Sequence, residues 1–317
     1  MKTLHTKPMR MLALVAAAGV VAAGCAVVPG YDASTSSFEG FPVVSFIPDH
    51  AVGIVFVFHG TGGSADFATK IETVDMLNHL TARGYGFVST DSTDRTSKQW
   101  DTASLSLTDN PDLARLSRLH ASLIASGRIT RTTPIYAIGM SRGAGFASVF
   151  AQAFHNAGSP VAAIAPSHGP IPVSVRLSGG LTVPALFALG ANDQVVDNGQ
   201  IVGQVADLAQ RGVPAQLFVE PETPLAASRF LRVPGIDTNE AGAVFAALVG
   251  AGLWDATGHR TVSIGTVESA LPTVPLPSSV TPQQRMMIED EVNVVLAVHQ
   301  YSATYATQTA AFFDAHR

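Results

Sequence analysis

The chemistry of this chain is most legible in "PIYAIGMSRGAGFASVFAQAF", where Gly139, Met140, Ser141, Arg142 and Gly143 fit the pattern G-x-S-x-G. The residues before it, Pro134 to Gly139, form an apolar run of strand length. Those after it, Gly143 to Asn156, read as a helix rich in small side chains. A serine between strand and helix sits on a tight, strained turn, and flanking glycines let neighbouring backbone approach without a Cβ clash. Its hydroxyl then projects at a helix N-terminus, where the dipole favours developing negative charge. Nucleophilic attack on a carbonyl needs that placement. The alternative is a plain glycine-rich turn of the kind any parallel sheet contains.

Two other segments carry matching signals. Upstream, "IVFVFHGTGGSADF" runs a strand into His59-Gly60-Thr61-Gly62-Gly63. A phosphate-cradling loop is the competing reading, but the chain has neither G-x-x-x-x-G-K-[ST] nor a G-x-G-x-x-G opening a helix. Downstream, "VPALFALGANDQVVDN" is a strand followed by Gly190-Ala191-Asn192-Asp193, where Asp193 is either a functional carboxylate or an Asx-turn residue.

Together "FHGTGGSA", "GMSRGAG" and "GANDQVV" make the chain resemble the α/β-hydrolase superfamily, in its esterase and polyester-depolymerase branch rather than among lipases with extended HGGG loops. The resemblance covers about residues 41–220 and the tail. It implies Ser141 as nucleophile and an oxyanion hole built from the backbone N–H groups of Arg142 and Thr61, with Gly62 as second choice. It implies Asp193, in a G-x-x-D-x-x-V setting, as the acid that orients the base, with Asp197 and Glu220 as rivals. His59 would shape the loop.

The family order of nucleophile, acid, histidine leaves three of the ten histidines: His259, His299 and His316. His316 is the penultimate residue, at a helix end prone to fray. His259 lies in the polar turn "WDATGHRT". His299 stands just before "YATQTAAFFDAHR", a closing helix that Phe312 and Phe313 can anchor to a sheet, and is taken as the base. One departure is that the strand after the acid ends in "FVEPETP", with no histidine. A helical insertion before His299 accounts for the displacement.

The elements that must position these residues alternate. The runs Val52 to His59, Tyr85 to Thr90, Pro134 to Gly139, Val161 to Ser167, Val183 to Gly190 and Ala215 to Glu220 are nearly continuously apolar, as in strands buried on both faces. Helices are expected over 65–83, from Pro111 (capped by Asn110) to Gly127, over 143–156 and over 198–211. The expected fold is α/β, a mostly parallel doubly wound sheet. Residues 221–290 break the rhythm as a helical cap, in which Thr281 and Pro282 start a helix running toward Val298. Its stretch "RVPGIDTNEAGAVFAALVGAGL" faintly resembles a helix-hairpin-helix unit that binds DNA. A lid walling the acyl pocket is the favoured reading.

The composition agrees. The chain has 317 residues, 47% apolar and 14% charged, with a formal charge of −5, which suits a large core and disfavours a nucleic-acid partner. Lys2, Lys7 and Arg10 precede the short apolar stretch Met11 to Ala23, a signal peptide over residues 1–24, shorter than the roughly 20 residues a membrane span needs. The "AAGC" ending at Cys25, the single cysteine, resembles the lipobox of bacterial lipoproteins. Ala22 replaces the commoner leucine, so plain signal cleavage stays open. Residues 25–40 read as a tether, 41–220 as the hydrolase core, and 291–317 as its C-terminal part. No metal spacing and no cofactor motif occur. The expectation is an exported, lipid-anchored serine hydrolase cleaving small-molecule or polymeric esters through an acyl-enzyme. The alternatives are a peptidase or acyltransferase on the same residues, and a non-catalytic binding protein.

Overall fold

The computed structural model describes residues 25–317 and the backbone of Leu14 and Val15; the signal-peptide reading falls almost wholly outside them. Cys25 is exposed. From Ser34 onward the sheet has eight strands: β1 (Ser34–Phe38), β2 (Phe41–Phe46), β3 (Gly53–Phe58), β4 (Tyr85–Thr90), β5 (Ile135–Met140), β6 (Val161–Ser167), β7 (Ala185–Gly190) and β8 (Ala215–Glu220). Their spatial order is β8-β7-β6-β5-β3-β4-β2-β1, and Leu14–Val15 pairs outside β8. β2 runs antiparallel to both β1 and β4, and the remaining pairs are parallel. This is the α/β-hydrolase fold.

The continuous apolar character of the central strands follows from burial on both faces. All six residues of β3, "GIVFVF", are buried. Alternate side chains feed two cores. Ile54, Phe56 and Phe58 pack with helices α2 (Pro111–Ala125), α3 (Arg142–Asn156), α4 (Val173–Leu177) and α5 (Asn198–Gln210). Val55 and Val57 pack with α1 (Ile71–Thr81) and α9 (Ala306–Asp314) on the other face. The order of connections reverses at β3, so a crevice opens at the C-terminal ends of β3 and β5. Both glycine-bearing motifs end there.

Two expectations need correction. The segment read as a tether is packed: Tyr31 lies against Phe46 and Phe87, and Gly30 N–H is held by Asn78 at 2.7 Å. Its residues 34–38 form β1, an exposed edge strand whose polar "STSSF" hid it from an apolar-run criterion. Glu39 and Gly40, both at positive φ, turn it into β2 as a two-residue hairpin. The helix expected over 65–83 is in fact broken at Lys70. A 3-10 turn at Ala65–Thr69 precedes α1, because Asp91 holds the Ala65 N–H and Ser89 its carbonyl, pinning that turn to the sheet.

Residues 221–290 are helical, as expected, and contain α6 (Thr238–Gly250), α7 (Ile264–Ala270) and the start of α8 (Pro282–Val295). α8 begins on a Thr281–Gln284 capping box with Pro282 in its first turn. These elements share their own core, including Phe230, Val244, Trp254, Ile288 and Val292, to which α6 also contributes Ala241 and Leu248. A buried ion cluster ties them to the sheet domain. Arg232 reaches Glu72 (2.6 Å) and Asp75 (3.0 Å) on α1 and Glu291 (3.1 Å) on α8, and Arg229 also reaches Glu72 at 2.7 Å. Burial would push the Glu72 carboxyl up, but the two arginines outweigh it and hold it down. Glu291 goes the other way, raised by its burial and by Glu72 beside it.

Glu220 ends β8 buried, with Ser302 donating to it at 3.0 Å. Burial pushes its pKa from 4.5 to about 7. Below 4.5 it is protonated whether folded or unfolded, and above 7 it is charged in both states and carries the full burial penalty. The fold therefore loses up to about 3 kcal/mol as pH rises through that window. Glu220→Gln is expected to match the wild type in chemical denaturation at pH 4.5 and to exceed it by about 2–3 kcal/mol at pH 8. Equal differences at both pH values would contradict the assignment.

Candidate active site

Ser141 joins β5 to α3 at φ 57° and ψ −119°, a region that costs about 1–3 kcal/mol for a residue with a side chain. The close approach of three chain segments imposes it. A Cβ on Gly139 would sit 2.3 Å from the Gly143 carbonyl oxygen, and one on Gly143 would sit 2.3 Å from that of Phe58. One on Gly169, after β6, would lie 2.4 Å from the Ser141 oxygen. Glycine at both ends of the motif is thus a packing requirement at the crossing of β3, β5 and α3.

The three residues singled out for nucleophile, base and acid come together. Ser141 Oγ lies 2.9 Å from His299 Nε2, and His299 Nδ1 lies 2.8 Å from Asp193 Oδ2. Burial would raise the Asp193 pKa, but the hydrogen bonds from His299 and the Val195 N–H outweigh it and hold the carboxyl below its ordinary value. An ionised Asp193 can only accept, so Nδ1–H donates to it and Nε2 is left to accept from the serine hydroxyl.

His299 reaches Ser141 because the end of β7 is stitched to the chain leaving α8. Asn192 donates its side-chain amide to the Leu296 carbonyl (2.8 Å) and its backbone N–H to that of Ala297 (3.0 Å). Gly190 allows this approach, since a Cβ there would lie 2.2 Å from the Ala297 oxygen. The rivals are engaged elsewhere. Asp197 caps α5, Glu220 holds Ser302, His259 is exposed beside Thr257, and His316 bonds the Phe312 carbonyl.

The Gly60–Gly63 loop is a turn closed by Gly63 N–H to the Gly60 carbonyl at 3.1 Å. Gly62 has φ 80° and Thr61 does not share the positive region, which is a type II turn with Thr61 at its first corner. The Gly62 N–H is bonded to the Lys98 carbonyl at 3.1 Å, so it is not available as a donor. The N–H groups of Thr61 and Arg142 have no intramolecular acceptor among the described residues, and both residues line the cleft that contains Ser141. His59 uses both ring nitrogens, bonding the Gly60 carbonyl through Nδ1 (2.7 Å) and accepting from the Ser92 N–H at Nε2 (3.2 Å). Burial lowers its pKa, so it is a neutral brace.

Sequence reasoning missed two participants. Trp100, buried and stacked on Phe146 at 4.6 Å, donates its indole N–H to the His59 carbonyl (3.0 Å) and accepts from the Arg142 side chain at its own carbonyl (2.9 Å). It thus fixes the turn relative to the serine. Its sequence surroundings, "TSKQW", carry no motif; only its rarity, as one of two tryptophans, marks it. His168, after β6, is buried with its ring edge-on to His299 at 5.7 Å. Burial lowers its pKa to about 4 despite the nearby Asp193 charge, so it lies against His299 without competing for a proton. The order of motifs excludes it as base, and no local sequence pattern marks it as a neighbour of His299.

The cleft at Ser141 has a volume of about 640 Å³ and is partly walled by Pro170, Val173, Leu177 and Val196. Val173 and Leu177 are 56% and 83% exposed, so the mouth is apolar. No residue of 221–290 lines it, which overturns the expectation of a lid over the acyl pocket: that insertion packs on the other side of the Gly60–Gly63 turn. No group of three metal-ligating side chains occurs among the described residues.

No protein-family model matches the chain, and no curated protein matches it. Among solved structures, a bacterial heroin esterase aligns with a TM-score of 0.45 and 17% identity over 67% of this chain and 82% of its own. A Pyrococcus furiosus esterase aligns with 0.45 and 14% over 68% and 91%, and an arylesterase with 0.44 and 14% over 63% and 79%.

Proposed function

We propose that this protein is a serine hydrolase of carboxylic esters. The reading rests on one observation: the hydrogen-bonded series Asp193, His299, Ser141 ends at a cleft lined by Ser141 together with Thr61 and Arg142, whose backbone N–H groups are unengaged. Ser141 Oγ attacks the ester carbonyl carbon while its proton passes to His299 Nε2. The carbonyl oxygen becomes an alkoxide held by the Arg142 and Thr61 N–H groups. Asp193 keeps the ring in the accepting tautomer and stabilises the imidazolium. The tetrahedral intermediate collapses, the C–O bond to the alcohol breaks, and His299 returns the proton to the leaving oxygen. Water, deprotonated by the same ring, then releases the acid and regenerates Ser141. The proposal includes export, with Cys25 as the point of lipid attachment.

Ser141→Ala is expected to abolish fluorophosphonate labelling and to lower ester turnover by about 10⁴-fold or more; labelling that persists would remove the nucleophile assignment. A p-nitrophenyl ester panel run beside matched amides separates an esterase from a peptidase. Thr61 is tested by Thr61→Pro, since the first corner of a type II turn accepts proline, which has no N–H. A kcat loss of about 10²–10³-fold with an unchanged unfolding midpoint is expected. Unchanged kcat would place the second donor elsewhere.

A further inference from the structure

Glu220 closes β8 in register with Gly190, which ends β7 and opens the loop carrying Asp193. Its backbone carbonyl accepts from the Ala191 N–H at 2.8 Å, so it borders the loop of the acid directly. Its carboxylate reaches a different segment, accepting from Ser302 Oγ at 3.0 Å, three residues after His299. Ser302 Oγ in turn accepts from the Thr304 N–H at 3.1 Å, which fixes the turn leading into α9. Just beyond β8, Glu222 accepts from the Asn192 side chain at 3.1 Å, and the Thr223 N–H donates to the Val295 carbonyl at 3.0 Å. The exit of β8 therefore touches the loop of the acid and the chain on both sides of the base.

A carboxylate is a costly choice for this place. Glu220 and Ser302 are both buried. Among the described residues no cation lies within ion-pair distance of Glu220, and Arg229, whose charge acts on it from farther off, is held by Glu72 and Glu291. An apolar side chain would avoid the penalty of a buried charge. What the carboxylate supplies is a charge-assisted hydrogen bond to Ser302, stronger than a neutral pair gives. Upstream of His299, Asn192 holds the carbonyls of Leu296 and Ala297. The base thus lies between two anchors. Glu72 shares the downstream side by accepting from the Ala303 N–H at 2.5 Å, but its loss would also unpair Arg229 and Arg232, so Glu220 is the anchor that can be tested alone.

We propose that Glu220, acting through Ser302, is a positioning residue for His299, fixing the downstream side of its loop against the strand ends that border Asp193. This rests on the serine-hydrolase reading. Glu220 touches neither Ser141 nor the His299 ring and takes no proton in the reaction. With its bond to Ser302 removed, the ring gains freedom relative to Asp193 and Ser141, and small displacements of a reacting group are costly in rate.

The test measures kcat and KM on p-nitrophenyl acetate, beside the chemical unfolding midpoint at pH 8, in Glu220→Gln, in the double variant Glu220→Leu with Ser302→Ala, and in Ser141→Ala. The double variant removes both hydrogen-bonding partners together, so neither is left buried alone. It is expected to lower kcat about tenfold or more, with KM within about twofold and a midpoint no lower than the wild type. Glu220→Gln keeps an acceptor oxygen for Ser302 and is expected to restore kcat to within about threefold of the wild type. Wild-type kcat in the double variant, a kcat loss that comes with a lowered midpoint, or a glutamine variant as impaired as the double variant each overturns the proposal. If Ser141→Ala keeps wild-type turnover, the serine reading falls and this proposal with it. If Ser141→Ala is inactive while the double variant is unimpaired, only the Glu220 assignment falls.

Discussion

Three backbones meet around Ser141 at distances that exclude any Cβ, and the remaining site geometry depends on that crossing. Gly139 against Gly143, Gly143 against the end of β3, and Gly169 against Ser141 leave no alternative side chain. The crossing forces Ser141 into a strained backbone conformation, directs its hydroxyl to the crevice, and leaves the Arg142 N–H unengaged at the start of α3. It also sets the end of β3 beside the serine, so that Thr61, in the turn following His59, lines the same cleft as Ser141.

Around this fixed point, distant segments are held by ordinary hydrogen bonds. Trp100 ties the turn to Arg142, and Asn192 ties the Asp193 loop to the residues just before His299. Each bond is individually modest. Because the glycines permit only one approach, the bonds select a single arrangement. His168 and His59 add imidazoles whose pKa burial lowers. The insertion follows the same logic at longer range: Arg229 and Arg232 pair with Glu72 of α1 and Glu291 of α8, which fixes α8 over α1.

Much of this was legible in the sequence because the motifs encode steric necessities. The glycines flanking Ser141, and Gly190 ahead of Asp193, mark contacts that only glycine allows, and the βα alternation follows from strands buried on both faces. The edge strand Ser34–Phe38 was not legible, since an exposed edge carries no apolar run. The break at Lys70 was hidden because hydrogen bonds to Ser89 on β4 and Asp91 just after it impose it. Trp100 and His168 act through tertiary contacts with no local signature. The insertion was recognised as helical, yet which side of the turn it covers depends on the Arg229 and Arg232 ion cluster, a pairing across more than 150 residues that no spacing reveals.

The proposed chemistry requires a covalent acyl group on one residue. The protein, acid-quenched while turning over a slowly deacylating p-nitrophenyl ester, can be digested and the acyl mass mapped by peptide mass spectrometry. The account predicts one adduct, on Ser141 in the peptide spanning the end of β5 and the start of α3, lost in Ser141→Ala. An adduct on any other residue, or full turnover in Ser141→Ala, would contradict it.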